Sequence, residues 1–265
     1  MTTLPSLFIS HGSPMLAIQD SPARRFLMEL GESLPRPTAV VVFSAHWETI
    51  GNPAVSFAAR PETIHDFGGF PAALFDIRYP APGEPDVAAR VAALLEQAGH
   101  GVRRSPDRGL DHGAWVPLRL MYPDADIPVL QVSILRGGTP AAHESLGRAL
   151  SGLREEGVLV IGSGSLTHNL YEFRGQGMDA PVQPWVSEFG AWMHERLHGQ
   201  LHEERRQALL DYRRKAPHAE RNHPADDHLL PLFAAMGAAG AGARGERLHS
   251  SYEYGVLAMD VYAFA

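Results

Sequence analysis

Four stretches of the chain are apolar almost without interruption: "SLFIS" from Ser6, "AVVVF" from Ala39, "DIPVLQVSI" from Asp126 and "VLVIG" from Val158. A strand with one wet face alternates apolar and polar residues, so these runs predict strands of a sheet covered on both faces. Between them the apolar positions take helical spacing. "SPARRFLMELGESL" predicts a helix with Ser21 as N-cap and Pro22 in its first turn. "EPDVAARVAALLEQAGHG" predicts an amphipathic helix ended by Gly99 or Gly101, and "PAAHESLGRALSGLREEG" and "HLLPLFAAMGAAG" predict two more. "PVQPWVSEFGAWMHERLHGQ" opens a long helical stretch expected to continue to about Tyr212. "AVSFAA" reads as a short strand, and "YEYGVLAMDVYAFA" closes the chain with another. Strands and helices alternate at βαβ spacing. The expectation is one α/β domain over residues 1–265, with a central mixed β-sheet flanked by helices.

Composition agrees with a closed core. Of 265 residues, 45% are hydrophobic and 20% charged, which excludes a disordered chain. A net charge of −7 opposes a broad nucleic-acid or membrane footprint. Cysteine is absent, which rules out disulfides, thiolate metal sites and cysteine nucleophiles. The N-terminus "MTTLPSLFISHGSP" lacks the basic-then-apolar pattern of a signal peptide. No apolar run reaches the ~20 residues needed to span a bilayer. A cytoplasmic protein is expected, with no nucleic-acid or membrane partner, as a monomer or homodimer.

The unusual figure is 14 histidines. "FISHGSP" and "FSAHWET" each run from apolar strand through a small residue to a histidine, His11 and His46. Functional groups in open α/β sheets gather beyond strand C-termini, and imidazole suits Fe(II) and Zn(II). In "ERNHPADDHLLPL" either His223 or His228 would close a three-ligand site, with a nearby acid orienting the ring; alternatively, Asp226 or Asp227 caps the following helix. "GSGSLTHN" lacks the G-x-G-x-x-G register, the Walker lysine and the G-x-S-x-G order, so its His168 reads better as an acid–base group beside a metal. His112 in "DHGAWVPL" stands beside a glycine that allows close approach, or caps a helix. His194, His198 and His202 fall on one face of the expected long helix among charged neighbours and read as surface residues. His100, His143 and His249 read as structural.

Taken together, "FISHGSP", "VVFSAHWET", "HDFGGFP" with "LFDIRYPAPG", "LDHGAWVPLRLMYPDADIPVLQVSI", "VLVIGSGSLTHNL", "NHPADDHLLPL" and "YGVLAMDVYAF" resemble the class III extradiol ring-cleavage dioxygenases of the LigB superfamily, and most closely their 4,5-DOPA dioxygenase extradiol branch. These stretches run in order over nearly the whole chain. The resemblance implies a single α/β domain holding a non-haem Fe(II), with Zn(II) able to replace it in purified protein, and a catechol and O2 as substrates. It implies His11, His46 and His223 as metal ligands, with His228 as the alternative to His223. It implies His168 as the catalytic histidine and His112 as a second histidine facing substrate or oxygen. His65 belongs to a motif of the branch and is a possible substrate contact. Arg78 and Arg221 are candidates to contact a substrate carboxylate. The competing readings are a zinc-dependent hydrolase on the same site and a non-enzymatic binding protein of the same fold.

Overall fold

The four apolar runs form four adjacent strands at the centre of one sheet in the computed structural model, which describes residues 3–265. The strands are β1 (Ser6–Ser10), β2 (Ala39–Thr49), β3 (Ala54–Ser56), β4 (Arg103–Ser105), β5 (Val129–Leu135), β6 (Val158–Gly164), β7 (Gly199–Gln200), β8 (Arg244–His249), β9 (Tyr252–Glu253), β10 (Leu257–Ala258) and β11 (Val261–Phe264). Nine of them make the sheet, in the order β4-β3-β5-β2-β6-β1-β11-β8-β7, while β9 and β10 pair separately. The central four, β5-β2-β6-β1, are parallel. Antiparallel pairings of β3 with β5 and of β11 with β1 and β8 make the sheet mixed.

The helices are α1 (Pro22–Ser33), α2 (Ala72–Phe75), α3 (Pro85–Gln97), α4 (His112–Met121), α5 (Pro140–Ala149), α6 (Pro184–Leu197), α7 (Glu203–Leu210), α8 (Tyr212–Lys215), α9 (Ala219–Asn222) and α10 (Leu230–Ala238). They cover both faces, which is why the central strands need no polar alternation. Val41 and Phe43 of β2 pack with Val91 and Leu95 of α3, Leu146 of α5 and Ala234 of α10. Val40 and Val42 of the same strand face the other way, into a cluster with Leu27 of α1 and Trp115 of α4. Each such side chain contributes roughly 1.5–3 kcal/mol on burial. Among the described residues, no helix is long and apolar enough to cross a membrane.

Ser21 caps α1 as its sequence indicates, accepting from the Arg24 N–H at 3.2 Å. The long helix expected to reach Tyr212 is instead broken. Its first part, α6, ends at Leu197; Gly199 adopts φ +87°, and the short strand β7 pairs with β8 before α7 begins. Consequently His194, His198 and His202 do not share one helical face, because His202 is the residue preceding α7.

The parallel strands bring the C-terminal ends of β1, β2 and β6 side by side. Ser10 is opposite Gly164, and Ser44 is opposite Ser163. That edge is where the histidines collect.

Candidate metal centre

His11 directly follows β1, with its backbone N–H bonded to the Gly164 carbonyl at 2.9 Å. Its ring Nδ1 lies 3.0 Å from Ser163 Oγ. The Ser163 hydroxyl donates its own hydrogen to the Gly113 carbonyl, so it can only accept from His11. His11 therefore carries its proton on Nδ1 and keeps a lone pair on Nε2. His46 lies where β2 slips against β5: Ser44 pairs with Ser133 but Glu48 pairs with Ile134. The three residues between have no partner on that side, and this bulge re-aims the imidazole out of the ladder. His46 Nδ1 faces Asp66 Oδ2 at 3.5 Å, and its Nε2 sits 3.0 Å from His11 Nε2. His228 precedes α10. Its Nδ1 bonds Asp227 Oδ2 at 2.7 Å, which again leaves Nε2 with the lone pair.

Donor atoms of His11, His46 and His228 all lie within 4.8 Å of one another. Imidazole nitrogens bound to one ion at ~2.0–2.1 Å lie at most about 4.2 Å apart, and the His11–His46 pair falls inside that limit. Two lone pairs facing each other at 3.0 Å repel unless a proton or cation lies between them. This donor set fits a divalent ion that accepts imidazole.

Two glycines make the convergence possible. A Cβ on Gly164 would overlap the His228 carbonyl oxygen, which accepts the Ser165 N–H at 2.8 Å. A Cβ on Gly113 would overlap Ser44 Oγ and crowd the His46 ring. The glycine of "IGSGS" thus lets the start of α10 lie flat on β6, and phosphate cradling is not its purpose.

His223 does not join the cluster, which corrects the expectation that it converges with His11 and His46. Its backbone N–H closes the turn of α9 on the Ala219 carbonyl, and its Nε2 is spent on the Leu166 carbonyl at 2.8 Å. The ring packs between Phe189 and Tyr212. His228, five residues on, stands beside His11 and His46 in its place. Neither neighbouring acid caps α10 through its side chain. Asp226 accepts from the Tyr212 hydroxyl at 2.5 Å and Arg213 Nε at 2.6 Å, while Asp227 orients His228.

His168 and His112 both border the site. The His168 ring stacks on His228, with centroids 3.5 Å apart and planes 8° apart. His112 begins α4; its ring lies 3.9 Å from that of His46, centroid to centroid. Asp66 takes both His112 hydrogens on offer, the backbone N–H at 2.9 Å and Nδ1–H at 3.0 Å. His65 turns away and bonds the Ile77 carbonyl at 3.1 Å among Phe67, Phe75 and Trp115. Arg78 is exposed and spent on the carbonyls of Phe75 and Ile77. Arg221 pairs with Glu172 at 2.9 Å and lies over Trp185. His65, Arg78 and Arg221 do not border the histidine cavity, which corrects their candidacy as substrate contacts in this structure.

The cavity measures about 200 Å³. His46, His112, His168 and His228 form one side, and Phe67, Phe70, Leu170, Leu257 and Pro14 contribute apolar wall. A larger cleft of about 360 Å³ lies between α5, α7 and α10, but its buried Glu144 is already paired with Arg148 and Arg206. Burial, then the neighbouring imidazoles, holds His11 and His228 well below the usual histidine range. Burial and then His112 lower His46 to about 4, against Asp111 and Asp66. Burial also lowers His168, opposed by Asp227. Neutral imidazoles result, the state a metal requires. Burial pushes the Asp66 carboxyl up, but the side-chain and backbone hydrogen bonds it accepts from His112 outweigh burial and hold it at about 2.

Sequence reasoning missed the polar frame behind the histidines. Asp66 stood in the quoted "HDFGGFP", where the histidine drew attention first. Buried Asp111 accepts from Ser44 Oγ, Arg108 and Gln131 at 2.6, 2.6 and 2.7 Å and also caps α4. Ser44 Oγ in turn accepts the His46 backbone N–H at 3.2 Å. The one available signal was a carboxylate beside a histidine in each of "HDF", "LDH" and "DDH".

The profile of the family described as "Catalytic LigB subunit of aromatic ring-opening dioxygenase" matches residues 5–264. A protein of Beta vulgaris named 4,5-DOPA dioxygenase extradiol is 44% identical over 265 residues, covering 98% of this chain and 96% of the relative. The protein of the same name from Escherichia coli (strain K12) is 41% identical and covers 89% of this chain and 86% of the relative. The crystal structure of an uncharacterised protein from Escherichia coli K12 superposes with a TM-score of 0.82 at 34% identity, over 98% of this chain and 99% of that one. The sheet, the strand-end histidines and the carboxylates behind them all fall within the matched span, and the chain belongs to the LigB family of aromatic ring-opening dioxygenase catalytic subunits.

Proposed function

We propose that His11, His46 and His228 hold one divalent ion, Fe(II) in the active protein, and that the site opens a catechol ring outside its two hydroxyls with O2 as co-substrate. The observation that carries this reading is the convergence of three imidazoles whose Nδ1 atoms are each turned to an oxygen of Ser163, Asp66 or Asp227. Zn(II) fits the same donors and can occupy them in purified protein. The chain is an extradiol catechol dioxygenase by family, and the whole of it serves as one catalytic unit.

When bound, the ion supplies the Lewis acidity that favours catechol ionisation and a route for electron density from ring to dioxygen. Three neutral imidazoles leave its charge undiminished, which favours an anionic catechol over a neutral one. The remaining steps belong to the chain. His168 lines the cavity, and its ring nitrogens have no hydrogen-bond partner among the described residues, so a bound hydroxyl can use them. Neutral at rest, it takes a proton from the catechol and returns one as the ring opens, work typically worth ~10²–10⁴ in rate. Asp66 fixes the Nδ1 proton of His112, leaving Nε2 to accept a hydrogen bond from the second oxygen of the bound pair. Phe67 and Phe70 flank the ring and exclude water.

The test is anaerobic loading with Fe(II), a panel of catechols, then O2. The expected result is one O2 consumed per catechol without NAD(P)H or flavin, a yellow semialdehyde, and a product mass higher by two oxygen atoms. A muconic diacid, or no oxygen uptake across the panel with iron verified, overturns the proposal.

A further inference from the structure

His11 and His228 have their backbone fastened to β6, His11 through its N–H on the Gly164 carbonyl and His228 through its carbonyl on the Ser165 N–H. His46 has no such hold. Residues 45–47 fall outside the paired register of β2 with both β5 and β6. Side chains meet its two backbone groups instead. Ser44 Oγ accepts the His46 N–H at 3.2 Å, and Arg108 Nη2 donates to the His46 carbonyl at 3.4 Å. Both arms lead to one buried carboxylate. The Ser44 hydroxyl donates to Asp111 Oδ1 and Arg108 Nη2 donates to Asp111 Oδ2, each at 2.6 Å. Arg108 also lies over the ring of the next residue, Trp47, 5.0 Å from its centroid.

Asp111 reaches the other histidines as well. It is the N-cap that sets His112 at the first position of α4. Two residues on, the Gly113 carbonyl takes the Ser163 hydrogen, and Ser163 in turn fixes the proton of His11. Capping does not account for all of these bonds. A cap needs one oxygen on one backbone N–H, here Oδ1 on the Ala114 N–H at 3.3 Å. Three further donors, from Ser44, Arg108 and Gln131, saturate the carboxylate. Ser44, Arg108 and Asp111 do not line the cavity, so they act on the site through its histidines.

We propose that Asp111 is a positioning residue of the metal centre, directing His46 through the Ser44 and Arg108 arms and tying that direction to His112 and His11. The inference rests on the reading of His11, His46 and His228 as metal ligands, and it adds the group that aims one of them.

Co(II) accepts imidazole, and its visible absorption reports coordination geometry, so it tests the proposal without turnover. Affinity, absorption spectrum and melting temperature are measured on metal-free protein reloaded with Co(II), for the parent, Asp111→Asn, Ser44→Ala and Arg108→Met. Asparagine caps a helix as well as aspartate does, so a role in capping alone predicts parent affinity in Asp111→Asn. The expected result is an affinity about tenfold to a hundredfold lower, with a changed spectrum at saturation. An amide has one oxygen, and it cannot accept from Ser44 on one atom and from Arg108 and Gln131 on the other. Ser44→Ala and Arg108→Met leave the cap in place, and each should also weaken Co(II) binding. Ser44→Ala should cost less in the Asp111→Asn background than in the parent, since both act along one arm. If Asp111→Asn does not fold, Ser44→Ala and Arg108→Met decide the matter. Parent affinity and spectrum in Asp111→Asn, or in both Ser44→Ala and Arg108→Met, overturn the positioning role whatever the melting temperatures, and leave the metal reading standing. A parent that binds no Co(II), or binding unchanged in His46→Ala and His228→Ala, overturns both.

Discussion

A neutral imidazole carries one N–H and one lone pair, and whichever group accepts the N–H decides which nitrogen is left for a metal. Ser163 and Asp227 make that choice for His11 and His228, and Asp66 lies on the Nδ1 side of His46 at 3.5 Å. His223 is set the other way: the Leu166 carbonyl takes its Nε2–H, so its lone pair is on Nδ1, which has no hydrogen-bond partner among the described residues and is not one of the donors that converge with His11 and His46. His228→Ala is therefore expected to lose nearly all bound metal. His223→Ala should keep it and instead lose stability, by about 2–3 kcal/mol, through the gap left beside Phe189 and Tyr212. Metal per chain and thermal melts on the same samples separate the two, and a metal-free His223→Ala with loaded His228→Ala would reverse the assignment. His168→Ala should stay loaded while kcat falls about 10²-fold or more, because the ring stacks on a ligand without holding the ion. Near-normal turnover in loaded His168→Ala would remove it from the chemistry. The sequence alone left His223 and His228 open because they differ only in which chain segment lies against β6, a long-range fact that local pattern does not carry.

Elements aim these residues. The bulge in β2 turns His46 out of its ladder, and the absence of a side chain at Gly164 lets the segment before α10 bond to β6 through the His228 carbonyl. Gly164→Ala should push that carbonyl away, lowering both melting temperature and metal affinity. Gly152→Ala is the control: its Cβ meets nothing within 4 Å, so metal affinity should not change. Equal metal affinity in the two variants would show that backbone approach at β6 does not set the ligand. The strands themselves were legible because burial on both faces leaves an unbroken apolar run, as in β2 and β6. The break between α6 and α7 was not. Gly199 sits among helix-forming residues, and only its pairing across to β8 turns two residues into a strand. The glycine–serine run of "IGSGS" was readable as a loop after a strand, but its use as a flat landing for α10 depends on a segment more than sixty residues away in the chain.

At the scale of the whole molecule, the cost of assembling so many imidazoles in a dry interior is sensitivity to acid. Burial lowers His143 to about 4, and burial likewise lowers His223 to about 4. In the unfolded chain both titrate near 6.5. Above pH 6.5 neither state holds these protons and their contribution is full and constant. As pH falls from 6.5 to 4 the unfolded chain takes up protons that the folded one refuses, so stability drops, by up to about 3 kcal/mol for each such group. His11 and His228, shifted further in the same direction, act with the same sign. Asp260 opposes them: burial, against Arg247, raises its carboxyl to about 6, so the folded state gains protons between 6 and 3.8. One carboxyl does not offset several histidines, and the net slope favours unfolding in acid. Thermal melts of metal-free protein should fall steadily from pH 7.5 to pH 5, at about 2–4 °C per kcal/mol for a chain of this size. His143 isolates the cause, since it lies outside the metal cluster and its Nε2 accepts the Leu135 N–H at 2.9 Å while Nδ1 donates to the Thr139 carbonyl at 2.9 Å. Protonating Nε2 breaks the first of these bonds. A glutamine there offers a carbonyl oxygen that does not titrate, so His143→Gln should show a shallower decline over the same range. A melting temperature that is flat or rising from pH 7.5 to pH 5, or a His143→Gln slope equal to that of the parent, would show that the acid response does not come from buried neutral imidazoles.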